Sequence, residues 1–252
     1  IRYGHGGSGE QMEVFADANK RMVIDGNSRI SLSNNDGGGT AGEDSTTGNT
    51  FFGYLSGGTV DLNTINNTFI GHKAGFGSKS DAQSNTALGN FALSNLTSGD
   101  NNVAIGKTAL GVGTLTGSNN VAIGRQTLED ATSATDNTAV GHQAGANIIT
   151  GNTNVAVGRN SLVLATACTD VVSIGAYSID AVTTSTDVNG SVAVGKHSLG
   201  ALTTGNGNTA VGFESLKTED DGSRNTAVGH KALTTLNTSA GNGETTAVGF
   251  EA

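Results

Sequence analysis

The sequence predicts an all-β protein, a parallel β-solenoid or β-roll of about twelve rungs with 17 or 18 residues in each. Three observations favour this fold: a short apolar element recurs at a nearly constant interval, polar glycine-rich segments separate its copies, and large side chains are scarce. Of 252 residues, 35% are hydrophobic and only 4% aromatic, with 39 Gly and neither Pro nor Trp. Because such a chain cannot fill a thick globular core, we expect thin stacked layers.

The repeated element reads Asn-Thr-Ala-Val-Gly-x-x-Ala-Leu, and each copy ends its apolar stretch on a glycine. The repeat glycines are Gly53, Gly71, Gly89, Gly106, Gly124, Gly141, Gly158, Gly175, Gly195, Gly212, Gly229 and Gly249. Their spacing of 17 to 20 residues is too short for a pair of helices, which needs about 33 residues. It fits one turn of a flattened parallel β-coil, with two strands and two turns in each unit.

Side chains alternate along the first strand of each unit, so that one face carries Val, Ile or Thr and the other carries Ala. We expect the β-branched face to fill the interior. The Ala face, represented by Ala104 and Ala122, would then lie outside, where small side chains allow another sheet to approach closely. This arrangement predicts self-association, and the form that we expect is a homotrimer.

Asparagine begins most units, and its short side chain suits a tight corner because it tolerates left-handed backbone geometry and bonds to nearby backbone. Stacked copies can also bond to one another along the axis. We therefore assign a structural role to Asn102, Asn120, Asn137, Asn154, Asn208 and Asn225.

Two regions are expected. Residues 1–48 do not repeat and are interpreted as a β-hairpin region, with strands at 13–16 and 21–25, followed by a hinge. Residues 49–252 form the repeat region. Since the chain starts at Ile1 and stops inside a repeat, we expect it to be a piece of a longer polypeptide.

Charge and composition argue against several classes of function. The net charge is −9 and the 13 basic residues are scattered singly, so we expect no nucleic-acid partner. No apolar stretch approaches the roughly 20 residues that cross a bilayer, and we expect no membrane insertion. Cys168 is the single cysteine and is interpreted as a small buried thiol.

We expect no enzyme activity, no cofactor and no metal. A catalytic site needs unlike residues converging once, whereas a repeat distributes like residues evenly. His197 and Ser198 are the one nucleophile and base suggestion. His72, His142 and His230 share the position after the repeat glycine and could meet on a trimer axis, but the variety of residues found there in other rungs indicates a solvent-facing position.

The Asn-Val-Ala-Ile-Gly element at residues 102–106 and 120–124 resembles the head repeats of trimeric autotransporter adhesins, which form trimeric β-rolls. The chain as a whole is similar to tail-fibre proteins of marine bacteriophages, in which segments like residues 20–25 and 31–36 precede repeats like residues 48–53.

This resemblance implies an extracellular structural protein of the virion, a segment of a homotrimeric tail fibre involved in host attachment. Its partners would be its own copies and a host surface glycan or outer-membrane receptor. The loops at 183–190 and 238–243, where the longer repeats carry their extra residues, are the expected contact points. The alternative is the head of a trimeric adhesin on a bacterial cell surface.

Two rival functions use a similar repeat. Residues 105–109 resemble the hexapeptide signature of β-helix acyltransferases, although the frequent 17-residue spacing breaks a register of three hexads. A row of threonines that includes Thr50, Thr68 and Thr86 resembles the surface of ice-binding solenoids, although Val replaces Thr freely in that row.

Overall fold

The computed structural model describes residues 48–58, 60, 63–77, 81–182, 188–237 and 243–252 in full, and before residue 48 the backbone of four strands. The described residues are all-β and contain no helix. They form a four-stranded antiparallel sheet and a twelve-stranded parallel sheet.

The strands are β1 (Arg2–Gly6), β2 (Gly9–Ala16), β3 (Asn19–Ile24), β4 (Ile30–Leu32), β5 (Thr50–Phe52), β6 (Thr68–Ile70), β7 (Thr86–Leu88), β8 (Val103–Ile105), β9 (Val121–Ile123), β10 (Thr138–Val140), β11 (Val155–Val157), β12 (Val172–Ile174), β13 (Val192–Val194), β14 (Thr209–Val211), β15 (Thr226–Val228) and β16 (Thr246–Val248).

Strands β1 to β4 pair antiparallel in chain order. The turn that a hairpin between β2 and β3 requires lies at residues 17 and 18, outside the described residues, so the N-terminal hairpin stays a prediction. Nearly all of the expected hinge, residues 33–47, also lies outside the described part of the chain.

Strands β5 to β16 follow one another in a single parallel sheet, each pairing with the next copy of the repeat in the same register. Ala104 of β8, for example, faces Ala122 of β9, which in turn faces Ala139 of β10. Twelve parallel strands joined in this order make a β-solenoid of about eleven turns. The predicted fold class is confirmed at this level.

The interior of the solenoid corrects one expectation. The Ala side chains of the strands, including Ala104 and Ala122, are fully buried and face the interior. The β-branched residues on either side of each Ala, such as Val121 and Ile123, point outward. The expected Ala surface for a second chain is therefore wrong, because the coil is so flat that only a small side chain fits beneath the strand.

The wall opposite each strand explains this packing. Most rungs place a leucine four residues after the repeat glycine, and Leu110 and Leu128 fill the interior beneath the Ala side chains. In the second rung the sizes are exchanged: Phe69 replaces Ala, Gly75 replaces Leu, and a Cβ on Gly75 would overlap the Phe69 ring. One large and one small residue thus share each layer.

The expected second strand is wrong. In the described turns each unit contains one three-residue strand, and the second apolar stretch is a series of bends with isolated bridges such as Leu96 to Leu115. Leu110 and Leu128 have φ of 48°, a left-handed conformation that ends any extended run. Their backbone N–H groups still donate to the next rung, from Leu110 to Thr127 O at 3.0 Å.

The repeat asparagines form a buried ladder, as their spacing indicates. In each step the side chain and backbone N–H of one Asn donate to Oδ1 of the Asn before it; Asn120 Nδ2 and N both lie 3.0 Å from Asn102 Oδ1. Asn120 Nδ2 also donates to Ala134 O at 2.8 Å. These bonds satisfy polar groups that would otherwise be buried without partners.

The repeat glycines stack in a second row, with φ between 129° and 142°. This conformation strongly favours glycine. An added Cβ at Gly124 would also overlap the carbonyl oxygen of Gly141 in the next rung. Both the backbone angle and the close stacking of rungs therefore require glycine here.

Candidate interaction surface

The outward-facing side chains of β5 to β16 form a continuous apolar surface, which we call the outer face. It consists of two columns, one of Thr or Val and one of Phe, Ile, Leu or Val. Several members are well exposed, among them Phe52 (64%), Leu88 (46%), Ile123 (37%) and Val248 (70%). A contiguous apolar surface of this kind marks an interaction site more often than scattered single residues do.

The residues directly after the repeat glycines form one edge of the outer face. In the middle of the solenoid this edge carries exposed cations, which we call the basic row: Lys107, Arg125, Arg159 and Lys196. Toward the ends the same edge carries rings that stack from rung to rung, such as Tyr54 on His72 and Phe213 on His230, with ring centroids 5.5 and 5.3 Å apart.

The residues just before each repeat asparagine form the opposite edge. Over the same rungs it carries Asp100, Asp136 and Asp170, which we call the acidic row. Each carboxylate accepts a hydrogen bond from the rung before or after it; Asn119 Nδ2 donates to Asp136 Oδ1 at 3.0 Å, and Thr153 Oγ1 to Asp170 Oδ1 at 2.5 Å. The two edges of one face thus carry opposite charge.

The three histidines considered for an axial metal lie where the repeat places them, after the glycine and at the surface. His72 Nδ1 is 3.0 Å from Asn90 Nδ2, and the ring stacks on Tyr54. His230 lies between the rings of Phe213 and Phe250. Within the described chain these rings contact aromatic and amide neighbours and do not converge on one another.

His197 and Ser198 do not form a nucleophile and base pair. Ser198 is buried, and its hydroxyl donates to Gly195 O at 2.8 Å. The His197 ring lies on the outside and stacks on Tyr177, with centroids 5.3 Å apart. The serine hydroxyl is therefore committed to the backbone on one side of the chain, and the imidazole lies on the other.

Cys168 is fully buried in the interior, as expected for a small apolar thiol. Burial raises the pKa of this thiol to about 12. Its sulfur lies 3.7 Å from Asn154 Oδ1, at the last step of the continuous asparagine ladder. The thiol is therefore protonated and unreactive near neutral pH.

Two further features could attract a ligand. Glu219, Asp220 and Asp221 bring carboxylate oxygens within 4.8 Å of one another, yet they are consecutive residues of one turn, and Glu219 accepts the Gly222 N–H at 2.8 Å. A cavity of about 590 Å³ lies in the last two turns, against Leu233, Leu236 and Ala252. Neither joins unlike catalytic groups.

The two loops expected to contact a host surface lie mostly outside the described residues. Residues 183–187 and 238–242 are not described, while Val188, Asn189, Gly190 and Gly243 at their ends are. Asn189 Oδ1 accepts the Thr169 N–H at 2.7 Å and so ties the end of the first loop to the preceding rung. The role of both loops stays a prediction.

Comparison of the chain with protein-family models, with curated proteins and with solved structures finds no match. Among the described residues there is no helix that could cross a membrane. The outer face and its charged edges are the surface that sequence reasoning missed. The exchange of Ala and Leu for Phe and Gly between rungs was the available signal, because it identifies which side of the strand faces the interior.

Proposed function

We propose that this chain is a structural segment of a homotrimeric fibre, a phage tail fibre that takes part in attachment to the host. The observation that carries the proposal is the outer face: twelve in-register strands present an uninterrupted apolar surface that the chain itself does not cover. Burying such a surface against further copies removes apolar area from water, at about 25 cal/mol per Å². A stiff, repetitive rod without a convergent reaction centre suits a mechanical role.

The number three comes from the resemblance of the Asn-Val-Ala-Ile-Gly rungs to trimeric β-roll heads. Three copies around one axis would turn all three outer faces inward. The stacked backbone then supplies stiffness along the fibre, and the residues that face away from the axis remain free for contact with a host glycan or an outer-membrane receptor.

The mass of the protein in solution tests the assembly. We expect three chains by light scattering, and we expect Ile123→Lys, in the centre of the outer face, to give single chains. Leu164→Lys is the matched control, because Leu164 has nearly the same exposure (40% against 37%) but lies outside the strands. A monomeric wild-type chain, or equal masses for the two variants, would contradict the proposal.

The site of action is tested by immunogold labelling with antibodies raised against the chain. Label on the tail fibres of virions is the expected result. Label on the surface of uninfected bacteria would instead favour the alternative, a trimeric adhesin head.

Attachment through the two longer loops is a separate part of the proposal. Replacing residues 183–190 and 238–243 by the shorter turns of neighbouring rungs should reduce adsorption to host cells while leaving the mass unchanged. Full adsorption by that variant would remove the loops from the binding surface.

The rival functions have less support. A coil of three hexads calls for three strand segments in each turn, whereas the described turns contain one. The outer face has threonine in one column only, since the second column contains Phe, Ile, Leu and Val. An ice-matched array would need regular hydroxyls on both columns, so thermal hysteresis is not expected in dilute solution.

A further inference from the structure

We propose that the outer face packs against further copies of this chain running in the same direction, and that the basic and acidic rows on its edges select this parallel orientation. The inference rests on the self-association in the proposed function. It adds which surface joins the chains, which way they run, and which side chains decide between the orientations.

The segregation of charge is complete over six rungs. From β8 to β13, the two residues after each repeat glycine include Lys107, Arg125, Arg159 and Lys196 and no acidic residue. The two residues before each unit of the same rungs include Asp100, Asp136 and Asp170 and no Lys or Arg. All six strands are parallel, so one edge of the face is basic and the other acidic along this whole length.

These charges are not used within the described part of the chain. The ion pairs there join Lys217 to Glu214 and Arg224 to Glu244, both outside the six rungs. The acidic row is held in place by uncharged donors instead, namely Gln83 N–H, Asn119 Nδ2 and Thr153 Oγ1. Each row therefore presents its charge to whatever lies beside the outer face.

Symmetry converts this segregation into an orientation. When copies are related by rotation about the long axis of the rod, the basic edge of each chain meets the acidic edge of its neighbour at every interface. A two-fold axis perpendicular to the rod would instead set basic row against basic row and acidic row against acidic row. Only the parallel arrangement brings opposite charges together.

The charges act on orientation more than on affinity. An exposed ion pair contributes about 0 to 1 kcal/mol, so the rows add little to the attraction from the apolar face. Rows of like charge placed against each other cost several kcal/mol, about enough to exclude the antiparallel pairing. The apolar face would supply association, and the rows would reject the wrong partner geometry.

The size of the face suits an interface between copies. Twelve strands at about 4.8 Å extend roughly 50 Å, and the face with its edges is at most about 20 Å wide. The resulting area of about 1,000 Å² on each chain reaches the roughly 800 Å² per partner of a stable protein interface.

Charge reversal tests the inference. Variant one carries Arg125→Glu with Arg159→Glu, variant two carries Asp136→Lys with Asp170→Lys, and variant three combines all four changes. We expect variants one and two each to raise the dissociation constant of the oligomer at least tenfold, since each places like charges on both edges. Variant three should return to within about threefold of the wild type, because both rows are exchanged.

Two controls separate this effect from damage to the fold. Glu129→Lys with Asp130→Lys reverses two charges beyond the turn that follows β9 and should leave the dissociation constant unchanged. Raising the salt to 1 M shortens the screening length to about 3 Å, so variants one and two should recover most of their association. A misfolded variant would recover neither with salt nor with the compensating reversal.

The outcomes distinguish this inference from the proposed function. Wild-type oligomers that Ile123→Lys breaks, but that neither row reversal weakens, would overturn the orientation mechanism and leave the fibre proposal standing. The orientation mechanism is also overturned if variant three is as weak as variants one and two. A wild-type chain that stays monomeric at all concentrations would overturn both.

Discussion

The asparagine ladder is continuous through the first seven rungs and interrupted in the next two. From Asn49 to Asn154 each asparagine binds the one before it, whereas Val171 and Ser191 occupy the next two places and Asn208 resumes the series. The strands pair in the same register through both regions. The ladder therefore satisfies buried polar groups without setting the register of the rungs.

The interruption comes with local compensation. Asn154 Oδ1, which would accept from another asparagine, instead accepts the Val171 N–H at 3.0 Å. In the same rung Ser173 replaces the strand Ala, and its hydroxyl lies 2.8 and 2.7 Å from the hydroxyls of Ser161 and Ser178. A polar group lost at the corner is thus accompanied by one gained under the strand.

Glycine should be equally essential in both regions, and its loss should have the largest effect. Gly124→Ala in the continuous region and Gly175→Ala in the interrupted one would each push a Cβ onto a carbonyl of the next rung. We expect each to lower the free energy of unfolding by more than about 4 kcal/mol. Urea denaturation checks this.

Gly190→Ala is the matched control for these two variants. Gly190 also has positive φ, 68°, but nothing lies within 4 Å of an added Cβ. It should cost about 1 kcal/mol, the price of a left-handed residue. Equal losses for all three variants would show that backbone angle alone, rather than the spacing of the rungs, requires glycine.

Removing an asparagine should matter most where the ladder is continuous. Asn120→Leu leaves Asn137 N–H and Ala134 O buried without their partners, and should cost about 3 kcal/mol. Asn225→Leu should cost less, because Asn225 Nδ2 is buried and has no hydrogen-bond partner among the described residues. Thermal or urea unfolding of the pair measures the difference, and a larger loss at Asn225 would contradict it.

The thiol at the junction of the two regions predicts a pH dependence. The pKa of Cys168 is about 12 in the folded chain against an ordinary value of 9.0, so the unfolded chain releases the proton first. The stabilising contribution is complete below pH 9 and declines as the pH rises from there toward 12. The slope is roughly 1.4 kcal/mol per pH unit.

Cys168→Ala serves as the reference, since other groups that titrate above pH 9 cancel in the difference. The stability of wild type minus variant should be constant from pH 7 to 9 and fall by pH 10.5. A constant difference through pH 10.5 would contradict the raised pKa, as would rapid labelling of the native thiol near neutral pH.

Repairing the interruption should have the smallest effect. Val171→Asn offers an amide to Asn154 Oδ1 but removes an apolar side chain that is fully buried. The two changes oppose each other, and we expect the free energy of unfolding to change by less than about 1 kcal/mol. A loss above 3 kcal/mol would show that the interrupted rungs are built for an apolar corner.

The repeat period predicts the stacking, the parallel pairing and the asparagine ladder, because each follows from the same residue recurring at the same place. It does not predict which side of the strand is inside. Val and Ala alternate in every copy, and burial of the larger side chain is the ordinary expectation. The interior is decided by the opposite wall, where Leu110 or Leu128 already occupies the space.

Comparing unlike rungs would have resolved this. Phe69 with Gly75, against Ala104 with Leu110, exchanges volume between two positions six residues apart, which shows that they share one layer. The single strand in each unit was hidden for a different reason. Leucine rarely adopts positive φ, so nothing in the sequence marks residues such as Leu128 as the end of an extended segment.

The stacking of like on like has a consequence for how such a gene changes. Because each rung offers its neighbour the same asparagine, glycine and strand, deleting or duplicating one whole unit joins surfaces that already match. Recombination between repeats can therefore lengthen or shorten the rod in steps of about 4.8 Å without creating a new kind of junction. Length becomes the trait most open to selection, while the cross-section stays fixed.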